Sequence, residues 1–134
     1  MTEIENKKIV LEYVEAFNRL DIETLRKLFA EDAIIYGVLG SGGMEVAIEI
    51  WKELHAAFGF NLKVDSMIAE GDIVAVRYTE RGKSVGSFRG SPVTGKSFET
   101  VAMEWFIIKH GKIQSRWGAR DSATQARQMG IPLN

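Results

Sequence analysis

The chain has 134 residues, 46% hydrophobic and 26% charged, which is the composition of one ordinary globular domain spanning 1–134. Seventeen basic residues against eighteen acidic ones leave a net charge of −1, so charge gives no reason to expect nucleic acid or an anionic membrane as partner. The absence of cysteine excludes disulfides, thiolate metal sites and cysteine nucleophiles, and two histidines, His55 and His110, are too few for a multi-histidine metal centre.

No apolar run approaches the ~20 residues needed to cross a bilayer. The N-terminal stretch carries charges throughout instead of the apolar core of a secretory signal, so the expected setting is the cytoplasm.

Thr2-Glu3-Ile4-Glu5 reads as a capping box that opens a helix with Val10, Tyr13, Val14 and Phe17 on one face. Asp21 caps a shorter helix bearing Leu25, Leu28 and Phe29, and Ala33–Val38 reads as a strand followed by a glycine loop at 40, 42 and 43. A third helix carries Ala47, Ile48, Trp51, Leu54, His55 and Phe58 and ends at Gly59. From Asn61 the period changes to two. Leu62–Ala69 and Ile73–Arg81 form a hairpin around Glu70-Gly71-Asp72, and Phe98–Lys109 and Ile113–Asp121 form a second around His110-Gly111. A last helix covers Ser122–Met129. Helices followed by antiparallel strands predict an α+β fold with the helices on one face of the sheet.

Two motif matches fail on context. Gly90-Ser91-Pro92-Val93-Thr94-Gly95-Lys96-Ser97 fits the phosphate-loop pattern, but that chemistry needs a helix to follow, and Phe98–Met103 reads as a strand. Gly82-Lys83-Ser84-Val85-Gly86 fits the nucleophile-elbow pattern, yet no helix follows Ser84 and the later His110 sits in a turn.

Pairing outward from a two-residue His110-Gly111 turn sets Phe106 against Ser115, Glu104 against Trp117 and Thr100 against Asp121. Glu104, Trp117 and Asp121 then share a face with Phe106 and Ile108, a surface of apolar residues with sparse polar groups suited to a ligand cavity. Met103, Trp105 and Ile107 fall on the other face with Arg116 and Arg120, and a second subunit is expected to cover it. Glu104 and Asp121 lie roughly 13 Å apart at ~3.3 Å per residue, too far to share a proton. Asp121 reads either as a dry acid/base beside Trp117 or as the cap of the last helix; Glu104 reads as a site carboxylate or as an ion-pair partner of an arginine such as Arg77. Tyr13, Phe17, Trp51, His55 and Phe58 belong either to the core or to the cavity wall. Spacing leaves open whether Arg77 or Tyr78 faces inward.

Tyr13-Val14-Glu15-Ala16-Phe17-Asn18, Leu28-Phe29-Ala30-Glu31-Asp32-Ala33, Met67–Tyr78, Thr94-Gly95-Lys96 and Gly111-Lys112-Ile113 with Trp117-Gly118-Ala119-Arg120-Asp121 stand in an order that resembles the SnoaL-like polyketide cyclases (ester cyclases) of the nuclear transport factor 2-like superfamily. The resemblance implies a cone-shaped, strongly curved antiparallel sheet around a hydrophobic cavity lidded by the N-terminal helices, in a homodimer. It further implies aldol-type ring closure or isomerisation of a small apolar carbonyl compound without metal or cofactor. Asp121 would be the acid/base, Glu104 and His55 supporting groups, and Tyr13, Phe17, Trp51, Phe58 and Trp117 contacts to the substrate. Many relatives have a histidine where this chain has Ser84. The competing expectation is a non-catalytic dimeric binding module for a hydrophobic small molecule.

Overall fold

A computed structural model of the chain describes residues 2–131. The first helix, α1 (Glu3–Arg19), opens on the reciprocal capping box: the Thr2 hydroxyl accepts from the Glu5 backbone N–H, and the Glu5 carboxylate accepts from that of Thr2. Asp21 caps α2 (Ile22–Leu28) by accepting from Thr24. Strand β1 (Phe29–Gly37) begins four residues earlier than the apolar pattern indicates, and the glycine segment after it contains a short strand, β2 (Gly40–Gly42). Helix α3 (Met44–Phe58) ends at Gly59, whose positive φ of 56° suits a residue without a side chain.

Strands β3 (Asn61–Glu70), β4 (Ile73–Lys83), β5 (Ser97–Lys109) and β6 (Lys112–Arg120) follow, with α4 (Ser122–Met129) last. The six strands form one sheet in the order β2-β1-β6-β5-β4-β3. Its pairs are antiparallel except β1 with β6, which run parallel. The curved antiparallel sheet expected from the sequence is present, with β1–β6 as its one parallel pair.

Three irregularities interrupt the ladder: one lies in the β1–β6 pair between Phe29 and Ile34, and the other two are single extra residues. Between Val64 and Ser66, Asp65 is an extra residue on β3; between Ile113 and Ser115, Gln114 is an extra residue on β6. Bulges of this kind increase local twist and curl a sheet. The inner face receives α1 and α3, with Val10, Val74, Phe106 and Ile113 at full burial.

The connection between β4 and β5 is a loop in which Ser84 serves as a stitch. Its hydroxyl accepts from the Thr94 N–H at 2.9 Å, its own N–H donates to the Lys96 carbonyl at 2.9 Å, and its carbonyl accepts from Gly95 at 3.1 Å. The glycines and lysine of the phosphate-loop match lie in this connection, and Ser97 enters β5 directly. No helix follows to present amides to a phosphate.

Phe106 packs edge-on against Tyr13 at a centroid separation of 5.2 Å. Phe106→Ala is expected to cost about 3–5 kcal/mol in urea unfolding, the range for truncating a buried aromatic. A loss under about 1 kcal/mol would mean that the sheet and α1 are not packed as described.

Candidate active site

The hairpin turn forms as the sequence indicates: His110 and Gly111 both have positive φ (51° and 75°), and Lys109 pairs with Lys112. The bulge at Gln114 then shifts every later pair by one. Phe106 faces Arg116, Trp105 faces Trp117, Glu104 faces Gly118 and Ala102 faces Arg120. A one-residue shift in a strand exchanges its two faces. Arg116, Gly118 and Arg120 therefore point inward, opposite to the sequence expectation, while Trp117 points outward.

Inside the cone, one carboxylate gathers three donors. Tyr13 on α1 donates to Glu104 Oε2 at 3.1 Å, and Tyr78 on β4 donates to Oε1 at 2.8 Å. The Arg116 guanidinium lies with Nη1 2.7 Å from Oε2, both side chains 9% exposed. Gly118 makes room for this approach, since a Cβ there would overlap Arg116 Nη1. Removing one member of a buried pair of this kind typically costs about 3–5 kcal/mol, because the other is left charged and uncompensated.

A second pair lies further along the same sheet face. Glu80, almost wholly buried, takes Arg120 Nε at 3.0 Å and Nη2 at 3.3 Å, and accepts from Gln125 of α4 at 3.1 Å.

Protonation follows from burial and these neighbours. Tyr13 and Tyr78 are pushed well above the ordinary phenol range, first by burial and then by the Glu104 charge, so both remain neutral donors. Burial alone would lower Arg116, but Glu104 and the two tyrosine oxygens outweigh it and raise it. Burial raises Glu80, against the opposing pull of Arg120.

These groups border a cavity of about 50 Å³. Its floor is polar: Tyr13, Tyr78, Glu80, Glu104, Arg116 and Arg120. Its walls include Phe17, Trp51 and Leu54 of the helices and the Val38–Gly40 turn between β1 and β2. Val38 and Val46, each 46% exposed, mark the end nearest solvent. This space holds a few waters.

Of the residues singled out in the sequence, Glu104, Tyr13, Phe17 and Trp51 meet at this cavity. Four others are placed elsewhere. Asp121 is exposed and caps α4, accepting from the Thr124 N–H at 3.1 Å and from its hydroxyl at 2.7 Å. Those bonds lower its pKa, the reverse of the dry, raised aspartate expected. Trp117 stacks on Tyr36 at 5.0 Å on the outer face. Phe58 packs between Phe60 and Phe88 under the β4–β5 connection. His55 sets Nδ1 2.8 Å from the Trp51 carbonyl and Nε2 2.7 Å from that of Phe17, tying α3 to α1 behind the cavity wall.

Arg116, Glu80 and Arg120 are not among the residues expected at the site, and of the two alternatives left open on β4, Tyr78 is the one that faces inward. Arg77, the ion-pair partner proposed for Glu104, points to solvent. One signal for Arg116 was present. In the unshifted register Glu104 has no cation on its face, whereas a shift of one residue supplies two.

A helix-lidded, curved six-stranded sheet enclosing such a cavity is the nuclear transport factor 2-like architecture. Comparison with known proteins narrows the class. The model of the SnoaL-like polyketide cyclase family matches residues 7–129, and the chain belongs to that family. Among solved structures, it is similar to IdmH of Streptomyces antibioticus, described as a candidate polyketide cyclase, at 30% identity and TM-score 0.85, covering 94% of this chain and 99% of that one. AclR of Streptomyces galilaeus, described as a candidate hydroxylase, shares 26% identity at TM-score 0.86, with 96% and 83% covered. A SnoaL-like protein of Jannaschia, at 20% identity, TM-score 0.87 and coverage of 98% and 95%, shares the fold. No curated protein matches by sequence. Among the described residues, no helix is long and apolar enough to cross a membrane.

Asp121→Ala is expected to lower stability at neutral pH through loss of the α4 cap. Because the folded pKa is depressed, the charged cap's contribution is full above the ordinary aspartate value of 3.8 and is lost as pH falls through the lowered folded value. Unfolding curves of wild type and variant should therefore approach one another in acid; a gap that widens in acid would contradict the capping role.

Proposed function

We propose that the chain is a cofactor-independent acid/base catalyst of the cyclase type, acting on a small, mostly apolar carbonyl compound, with Glu104 at the reacting centre. The observation that carries this reading is the convergence of two neutral phenols and a guanidinium on one carboxylate at the floor of an apolar-walled hollow.

A ligand carbonyl entering the hollow competes for the Tyr13 and Tyr78 hydroxyls. As they turn from Glu104 to the carbonyl oxygen, the carboxylate loses donors and gains basicity while the carbonyl is polarised. Glu104 then takes a proton from the carbon next to the carbonyl, leaving an enolate stabilised by the tyrosines and Arg116. The enolate carbon attacks a second carbonyl of the same molecule, one carbon–carbon bond forms, and the resulting alkoxide recovers the proton from Glu104. Isomerisation follows the same first step, with the proton returned at a different carbon. The buried setting keeps water from quenching the enolate.

A binding-module reading has one specific observation in its favour: both Glu104 oxygens are already occupied, as in a structural ion-pair network. Glu104→Gln decides between them. With a ketone found by thermal shift, the variant should keep ligand-induced stabilisation and lose about 10²–10⁴-fold in kcat. Asp121→Ala should stay within about threefold of wild type, since its carboxylate faces solvent and the α4 cap. Wild-type binding without turnover, or full activity in Glu104→Gln, would defeat the catalytic reading.

We also propose that the outer sheet face is the surface of a homodimer. Ile68, Met103 and Trp105 are 68%, 52% and 47% exposed, and with Trp117 they line a shallow apolar groove of about 430 Å³. Ile107, the third residue expected on this face, is half-buried within the sheet. Contiguous apolar exposure on this scale marks an association surface. Met103→Lys with Trp105→Lys should halve the solution mass measured by light scattering; a monomeric wild type would dismiss the dimer.

A further inference from the structure

The Arg116 side chain is more hydrogen-bonding capacity than its surroundings use. A guanidinium carries five N–H donors in a planar fork. Glu104 Oε2 takes the Nη1 side at 2.7 Å and also the Tyr13 hydroxyl, while Oε1 takes Tyr78; neither oxygen is bonded to the rest of the fork. Nη2 extends toward the β1–β2 hairpin, 3.9 Å from where a Cβ of Gly37 would stand. The Nε–H is buried and has no acceptor among the described residues, although the residue lines the cavity and is 7% exposed.

Buried donors are ordinarily paired, and an unused edge of a guanidinium is complementary to a planar group bearing two oxygens. The charges along the cavity floor allow such a group. Glu104 and Arg116 cancel, as do Glu80 and Arg120, so no net negative charge repels an anion. Gly118 keeps a side chain out of the guanidinium's way, since a Cβ there would overlap Nη1.

We propose that Arg116 is the receptor for a delocalised oxyanion of the ligand, a carboxylate or the enolate of a 1,3-dicarbonyl, so that the cavity selects acidic carbonyl compounds over neutral ones. The proposal rests on the cavity being the substrate site, the reading given above, but not on Glu104 acting as a base. The ligand's oxygens take the Nε edge, and the rest of the molecule lies along Phe17, Trp51 and Leu54 toward the Val38 end.

The test is binding, read by calorimetry on the intact protein with matched pairs: 4-oxopentanoate against its methyl ester, and dimedone, ionised at neutral pH, against its methyl enol ether. Wild type should bind each anion at least about tenfold more tightly than its neutral partner. Arg116→Gln should abolish that preference, Arg116→Lys should keep part of it, and Gly118→Ala, which displaces the guanidinium, should reduce it. Glu104→Gln should keep or strengthen the preference while losing turnover, so failure of the base assignment and failure of the receptor assignment give different patterns. The comparison within wild type needs no variant to fold. Equal affinity for anion and neutral partner, no binding of either anion, or a preference that survives in Arg116→Gln would overturn the proposal.

Discussion

The site depends on where β6 sits against β5. Every side chain on an antiparallel strand alternates between core and surface, so one extra residue decides which half of the strand's chemistry is inside. The bulge at Gln114 places Arg116, Gly118 and Arg120 over the buried face and sends Trp117 and Asp121 outward. Without it, Glu104 would be a buried carboxylate with no cation beside it, an arrangement that folding strongly disfavours. The ion pair and the bulge thus require one another. The network supplies a reason for the register, and the register supplies the network.

That coupling explains how a fold of this size accommodates so much charge in its interior. Glu104 and Glu80 each sit beside an arginine from β6, and each also takes neutral donors: Tyr13 and Tyr78 for one, Gln125 for the other. The donors come from α1, β4 and α4, so the carboxylates tie both helices to the inner face of the sheet. Polar groups shared in this way polarise one another, so a change at any one of them is felt by the rest.

Much of the architecture was legible in the sequence because local chemistry specifies it. The Thr2 box, the Asp21 cap, Gly59 and the His110-Gly111 turn each fix an element boundary by interactions within a few residues, and all are found where expected. The early start of β1 was not legible, since Phe29 pairs with Ile113, a partner far away in the chain. Nor was the bulge. Ile113-Gln114-Ser115 carries no glycine or proline to mark a break in alternation, and only the need of Glu104 for a cation hinted at it. Asp121 illustrates the same limit. Its position before Ser122-Ala123-Thr124 suggests the cap that is found, whereas its expected place on the inner face rests on the unshifted register. Tyr13, Phe17 and Trp51 were readable as a helix face because helical periodicity survives such strand irregularities.

The parallel seam between β1 and β6 has a consequence for how such a protein diversifies. It leaves the β1–β2 turn at the rim, outside the ladder that holds Glu104 and Arg116, while the same turn supplies Val38 and Leu39 to the wall. The outer wall of the cavity and its ion-paired floor therefore reside on separate pieces of backbone, so the rim can vary in length without disturbing the Glu104–Arg116 pair.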